Sequence, residues 1–229
     1  HSADSPGARR ISSTVALRVF EVIRRLDQPT EVLEDENPSL TMPRRLGLSE
    51  VVERQIDRYA AAVRRGQKLS DAELFELVQL VIRRPDATKV FFHAGSSLVA
   101  GQRSLVQFGA RVLPESAEFF FARRRVQRGL RKLFGRRIGG FSAGPFALEG
   151  RSLLFYQADP QGHACAFVTG YAQGVFDGIT SHGRRVIHSQ CEARGDDRCR
   201  WTVQAEIHRP ALDSASVGDF LRLPEPEAG

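Results

Sequence analysis

Three cysteines and one histidine are the side chains of this 229-residue chain whose types and spacing point most directly to chemistry. Cys165 stands alone, whereas His188, Cys191 and Cys199 follow one another closely. An odd number of thiols does not suit a disulfide framework. The sequence shows no secretory leader, so the expected compartment is a reducing cytoplasm, where clustered thiols more often bind metal than pair. Zinc takes four ligands in a tetrahedron from thiolate, imidazole or carboxylate groups, and this set supplies four. His188 and Cys191 fall at the end of one expected strand and Cys199 at the start of the next. A hairpin would therefore gather three ligands locally and leave only Cys165 to be delivered from elsewhere. Spacing alone leaves a second reading open, in which Cys165 is a buried small apolar side chain and the other two thiols are incidental. The seven residues between Cys191 and Cys199 exceed the gap of a zinc knuckle.

Other chemistries lack their motifs. There is no G-x-S-x-G nucleophile turn, no P-loop and no H-E-x2-H pair. The run GGFSAGPFALEG at 139–150 is glycine-rich but lacks the strand-to-helix setting of a dinucleotide site. The expectation is a binding protein more than an enzyme. His93 and His163 are possible hydrogen-bond partners of a ligand, although histidines in such places are more often structural. Seven phenylalanines and Tyr156 crowd residues 119–156. Most of these build a core, but Phe141, Phe146, Phe155 and Val186 are candidates to line an apolar pocket.

The net charge of +6 is mostly arginine, and eight basic residues fall between Arg123 and Arg137. They can form a solvated face, or capture an anionic ligand or partner, with Arg124, Arg128 and Arg131 as candidates. No helix-turn-helix, zinc finger or aromatic stacking motif accompanies them, so nucleic acid is not the expected partner. No run of eighteen apolar residues exists, and no membrane span is expected.

The elements that must position these groups change character along the chain. Apolar residues at helical spacing predict helices over 11–26, 48–65, Ser70–Arg84 and 86–110. Ser13 or Thr14 suits the first cap, and Ser70 with Glu73 makes a capping box. A proline-punctuated acidic linker lies between the first two helices. A long basic helix is predicted over 114–137, with Phe119, Phe120, Val126, Leu130 and Phe134 along one side. Two strands, 140–149 and 151–158, are expected around a Glu149-Gly150 turn. A short strand end then runs into a helix over 165–181, on which Gly170, Gly174 and Gly178 recur every four residues. Such a face makes sense if it presses against a neighbour. Strands over 184–191 and 199–207 flank the turn Arg194-Gly195-Asp196-Asp197. Helices first and strands later predict an α+β domain with an antiparallel sheet. The expected organisation is an extension with one helix and a linker (1–47), a ligand-binding domain (48–208) and a polar tail (209–229).

The segment from Cys165 to Val203 resembles the C-terminal signature of the 4-vinyl reductase, or hydrocarbon-binding, domain family. That signature has a cysteine, a glycine-rich helix, a strand ending E-x2-C, a Gly-Asp turn, and a cysteine followed by an aromatic residue. Gly170, Gly174, Cys191, Gly195, Asp196, Cys199 and Trp201 fall into it. The residues FFHAGSSLVAGQR at 91–103 resemble the family's earlier glycine-containing helix more loosely. Related sensor domains occur in phenol- and xylene-responsive transcription activators, where the corresponding four positions bind zinc. His188 departs from the family's glutamate, but imidazole is an equally good ligand.

The resemblance implies a fold like that of TRAPP subunits and NO-signalling ligand-binding domains, often dimeric, with a pocket between sheet and helices beside the zinc hairpin. It also implies a structural Zn2+ on Cys165, His188, Cys191 and Cys199. The function expected from it is non-enzymatic sensing or carriage of a hydrophobic, aromatic small molecule, in a cytoplasmic homodimer. The alternative it implies is an accessory protein of bacteriochlorophyll biosynthesis, binding a tetrapyrrole as a nominal vinyl reductase.

Overall fold

The computed structural model describes residues 9–27, 50–100, 115–135, 138, 140–141, 146–151, 157–179 and 184–205. The linker expected over 27–47 lies almost wholly outside them, as do residues 101–110 of the helix expected over 86–110 and the whole tail expected over 209–229. Strand β1 (Ile11–Ser12) leads into helix α1 (Ser13–Asp27) and pairs antiparallel with β2 (Lys68–Leu69). Neither Ser13 nor Thr14 caps α1. The Ser12 hydroxyl accepts from the Thr14 N–H, and the Ser13 hydroxyl donates to the Gln67 carbonyl at 2.7 Å. Helix α2 (Glu50–Arg64) lies against α1, with Phe20 and Tyr59 stacked at 5.7 Å. Gly66, at φ +66°, ends that turn where a side chain would be strained. The helix assigned by sequence to an extension is thus packed into the main core through Ile11, Val15, Val19 and Ile23.

Helix α3 (Asp71–Ile82) begins at the expected capping box. The Glu73 N–H donates to the Ser70 hydroxyl, and the Ser70 N–H donates to the Glu73 carboxylate at 2.8 Å. Helices α4 (Ala87–Ala100), α5 (Glu115–Phe134) and α6 (Ala166–Ile179) form the rest of the helical layer. α4 and α6 pack backbone to backbone. A Cβ on Gly95 would stand 2.1 Å from the Phe167 carbonyl oxygen, and one on Gly170 would stand 2.0 Å from that of Phe92. Each glycine therefore admits the other helix's backbone. Gly174 is looser, its nearest neighbour at 3.2 Å, and Gly178 faces open space. The glycine face predicted from the four-residue spacing is real at its first position and fades along the helix.

On α5 every fourth residue from Glu118 to Phe134 is buried, with Ala122, Val126 and Leu130 between. Phe120, expected on this side, is 53% exposed, because it lies about half a turn from that line.

The second sheet has the order β3-β4-β6-β5, antiparallel throughout, from β3 (Gly140–Phe141), β4 (Ala147–Gly150), β5 (Arg184–Gln190) and β6 (Cys199–Ala205). This corrects the turn expected at Glu149-Gly150. Both residues are in β4, opposite Arg200 and Cys199 of β6, and the other edge of β4 pairs with β3. Glu149 earns its strand position through ion pairs with Arg198 at 3.2 Å and Arg200 at 3.5 Å. Of the strand expected over 151–158, residues 157 and 158 form a turn and 152–156 lie outside the described residues. Helices covering an antiparallel sheet make an α+β fold, as the sequence predicts. No described helix is long and apolar enough to cross a membrane.

Candidate metal centre

Two loops build the centre. The first is the β5–β6 hairpin. His188 faces Trp201 directly, and a bulge follows it before Gln190 meets Arg200. Cys191 then enters a 3-10 turn, Glu192–Arg194, closed by Gly195 at φ +96°. The Cys191 carbonyl accepts from the N–H groups of Arg194 and Asp196. The Asp196 carboxylate accepts from the Cys191 N–H at 2.6 Å. The Gly-Asp pair of the sequence thus fixes the backbone of one cysteine. Cys199 opens β6 opposite Gly150.

The second loop delivers Cys165. Asp159, 1% exposed, accepts with its carboxylate from the N–H groups of Gln161, Gly162 and Ala164. That caps a 3-10 turn, His163–Cys165, which runs straight into α6. The sequence reading placed a strand end here, and the Asp-Pro-Gln-Gly run before it is the turn signal that favours this outcome. Gly162 has φ +78°, and a Cβ on it would stand 2.6 Å from the Cys191 sulfur. The absence of a side chain lets the two loops meet.

One ligand atom from each of Cys165, His188, Cys191 and Cys199 lies within 4.8 Å of all the others. The three cysteines are buried and free, and the Cys165 and Cys199 sulfurs are 3.9 Å apart. That is about twice an S–S bond, so the pair is not a disulfide. The His188 ring stacks on Trp201 at 4.6 Å with planes 12° apart. Its Nε2 is buried with no hydrogen-bond partner among the described residues, so that nitrogen is available as a metal ligand. The Trp201 indole N–H donates to the Thr169 hydroxyl at 3.0 Å, and that hydroxyl donates to the Cys165 carbonyl. The tryptophan therefore braces both the histidine ring and the Cys165 turn. The Cys165 and Cys199 thiols are hydrogen-bonded to each other, and that bond lowers the pKa of Cys199, burial opposing and His188 assisting. The same bond, with burial, pushes the Cys165 thiol far up. The four residues read from the sequence are the four brought together, and they can hold one metal ion.

Beside the centre lies a cavity of about 770 Å³ lined by Phe92, Ala166, Gln173, Val186, His188 and Arg194 among others. Gln173 ties its walls together, accepting from the Val186 N–H and donating to the Arg184 carbonyl. His163 also lines it, held by Thr88 and Gln161 at 2.7 and 2.8 Å. His93 does not line it. Burial, with Arg25 and Lys89 nearby, lowers the pKa of that imidazole.

Of the pocket candidates, Val186 lines this cavity. Phe146 does not: it is buried against the Phe176 ring at 4.7 Å, as core. Phe155 and the Phe141 side chain lie outside the described residues. Arg124 and Arg128 line a second cavity, whereas Arg131 is exposed and is not among its lining residues. Phe92, Thr169 and Gln173 were not singled out in the sequence. Their polar-apolar alternation on α6 and α4 is ordinary for helices, so no local signal distinguishes them. Comparison with family models, with curated proteins and with solved structures finds no match to this chain.

Proposed function

We propose that this chain is a non-enzymatic small-molecule-binding domain, a sensor or carrier of a hydrophobic aromatic ligand, braced by a structural zinc ion. The observation that carries the reading is the Cys3His cluster, three buried cysteines gathered round a half-buried His188 that also lines the adjoining cavity. Zinc–thiolate bonds of about 2.3 Å give a tetrahedron with sulfur–sulfur edges of about 3.8 Å, and Cys165 and Cys199 stand 3.9 Å apart. With four protein ligands the ion would keep no open position, so its work would be to hold α6 to the β5–β6 hairpin. His188 would join the ion to the cavity wall. Phe92, Ala166 and Val186 supply apolar contact, and Gln173 and Arg194 supply the few polar groups that orient a ligand. The likeness of residues 165–203 to the 4-vinyl reductase domain supports the same class of function, and with it a homodimer in a reducing cytoplasm.

The test is metal content by mass spectrometry, followed by calorimetric titration with 2-naphthol. The expected result is about one zinc per chain and saturable binding that Ala166→Phe, which fills the cavity, removes while zinc is retained. Freshly purified reduced protein without zinc overturns the metal reading. Undiminished naphthol binding by Ala166→Phe overturns the choice of cavity.

A further inference from the structure

A second cavity, also about 770 Å³, opens on the opposite use of the basic helix. Seven α5 residues line it: Phe121, Arg124, Arg125, Arg128, Gly129, Lys132 and Leu133. Their spacing of three and four residues is one face of one helix. Arg18 of α1 adds a fifth cationic side chain, and no carboxylate is among the lining residues that are described. Arg18 spends one nitrogen on Glu21 at 2.6 Å. Among the described residues no carboxylate pairs with Arg124, Arg128 or Lys132. The far walls are apolar, from Leu98 of α4 and Ile179 of α6. Tyr171 completes the floor. Its hydroxyl is seated against Gly129, where a Cβ would fall 1.6 Å from it, and burial raises its pKa so that it stays a neutral donor.

A solvated charged face is convex and mixes its charges with acids. This one is concave, of one sign, and backed by an apolar wall and a bare helix backbone. Like charges gathered in a cleft focus a positive potential into it. Guanidinium groups bind carboxylate, sulfonate and phosphate by paired hydrogen bonds. We propose that this cavity, separate from the one beside the metal centre, binds an amphiphilic organic anion. Its acidic head lies among Arg124, Arg128 and Lys132, and its apolar body lies against Leu98, Leu133 and Ile179. The inference does not depend on zinc or on the ligand of the first cavity.

The probe is 1-anilinonaphthalene-8-sulfonate, read by its fluorescence, with neutral N-phenyl-1-naphthylamine as the headless comparison. Wild-type protein is expected to bind the sulfonate saturably, and at least tenfold more tightly than the neutral amine. Raising sodium chloride should weaken only the sulfonate. The double variant Arg124→Ala/Arg128→Ala, at two exposed positions that do not disturb the core, should lose at least tenfold in sulfonate affinity. Arg185→Ala, which lowers net charge by one at the first cavity, should change it less than twofold. Circular dichroism of each variant establishes that it is folded. Equal affinity for sulfonate and amine, equal loss in Arg185→Ala, or unchanged binding in the double variant each overturns the proposal.

Discussion

Substituting the glycines of α6 one at a time by alanine turns the packing of α4 against α6 into numbers. Two effects compete at each site. Alanine favours the helix over glycine by about 1 kcal/mol wherever the new methyl meets nothing. Against that stands whatever the methyl strikes. At Gly170 it would lie 2.0 Å from the Phe92 carbonyl oxygen, a backbone atom that no rotamer change can move. A carbon–oxygen contact needs about 3.3 Å, so the helices must part by roughly an ångström. Overpacking of this kind costs about 1–3 kcal/mol, and backbone against backbone belongs at the upper end. The net expected for Gly170→Ala is a loss of about 2 kcal/mol. At Gly174 the nearest atoms are at 3.2–3.3 Å, one of them a side-chain carbon of Val99. There the two effects should roughly cancel. At Gly178 nothing lies within 4 Å, and alanine should stabilise by up to about 1 kcal/mol. Urea denaturation midpoints at constant slope measure all three. The order must be Gly170→Ala below wild type, Gly174→Ala near it, and Gly178→Ala above it. A Gly170→Ala protein as stable as Gly178→Ala would refute the close approach of α4 and α6.

The metal centre contains the chain's one tryptophan, Trp201, stacked on His188. A strong chelator should therefore shift tryptophan emission to the red in wild type and leave Cys191→Ala unchanged, because that variant should already be without metal. Ser70→Ala should cost about 1 kcal/mol at neutral pH by removing the capping box. Burial pushes the Glu73 carboxyl up, but the Ser70 hydrogen bonds, with Arg9 and Arg58, bring it below its ordinary value. A lowered carboxyl contributes stability above its unfolded pKa of about 4.3 and loses it as pH falls through the lower folded value. The Ser70→Ala deficit in urea midpoint should accordingly shrink between pH 5 and about pH 3. Arg84 joins Asp27 at the end of α1 to Asp86 before α4. Asp27→Ala should cost about 1 kcal/mol or less, and the difference should diminish in 1 M salt.

Legibility in the sequence followed the range of the interaction. The helix over Asp71–Ile82, its capping box and the β5–β6 hairpin rest on contacts a few residues apart, and the pattern announces them. The four residues of the candidate metal centre were legible because cysteine and histidine are few and their chemistry narrow. What failed was decided at long range. Glu149-Gly150 has turn composition, yet Glu149 is held in a strand by Arg198 and Arg200, some fifty residues on. Phe146 and Val186 are both apolar and both buried, but one fills core against Phe176 and the other fronts a cavity. Periodicity reports that a residue is inside and not what it faces. The Cys165 turn depends on Asp159, whose three accepted hydrogen bonds are invisible to any count of apolar spacing.

The ligands of the metal centre have an order in time as well as in space. Translation delivers the chain N-terminus first, at about 5–20 residues each second. β1 and β2, the capped α3, and both partners of the glycine contact are synthesised before His188. Cys199 is the last ligand to be made, and it also begins the strand that bridges β4 to β5. Until it appears, the other three residues of the candidate site face a gap, and the sheet lacks one of its two inner strands. Loading of an ion at this site would therefore come late, together with closure of the sheet. A ribosome stalled ahead of Cys199 would present a helical layer with one open face, two buried-to-be thiols and an incomplete ligand set for a metal ion.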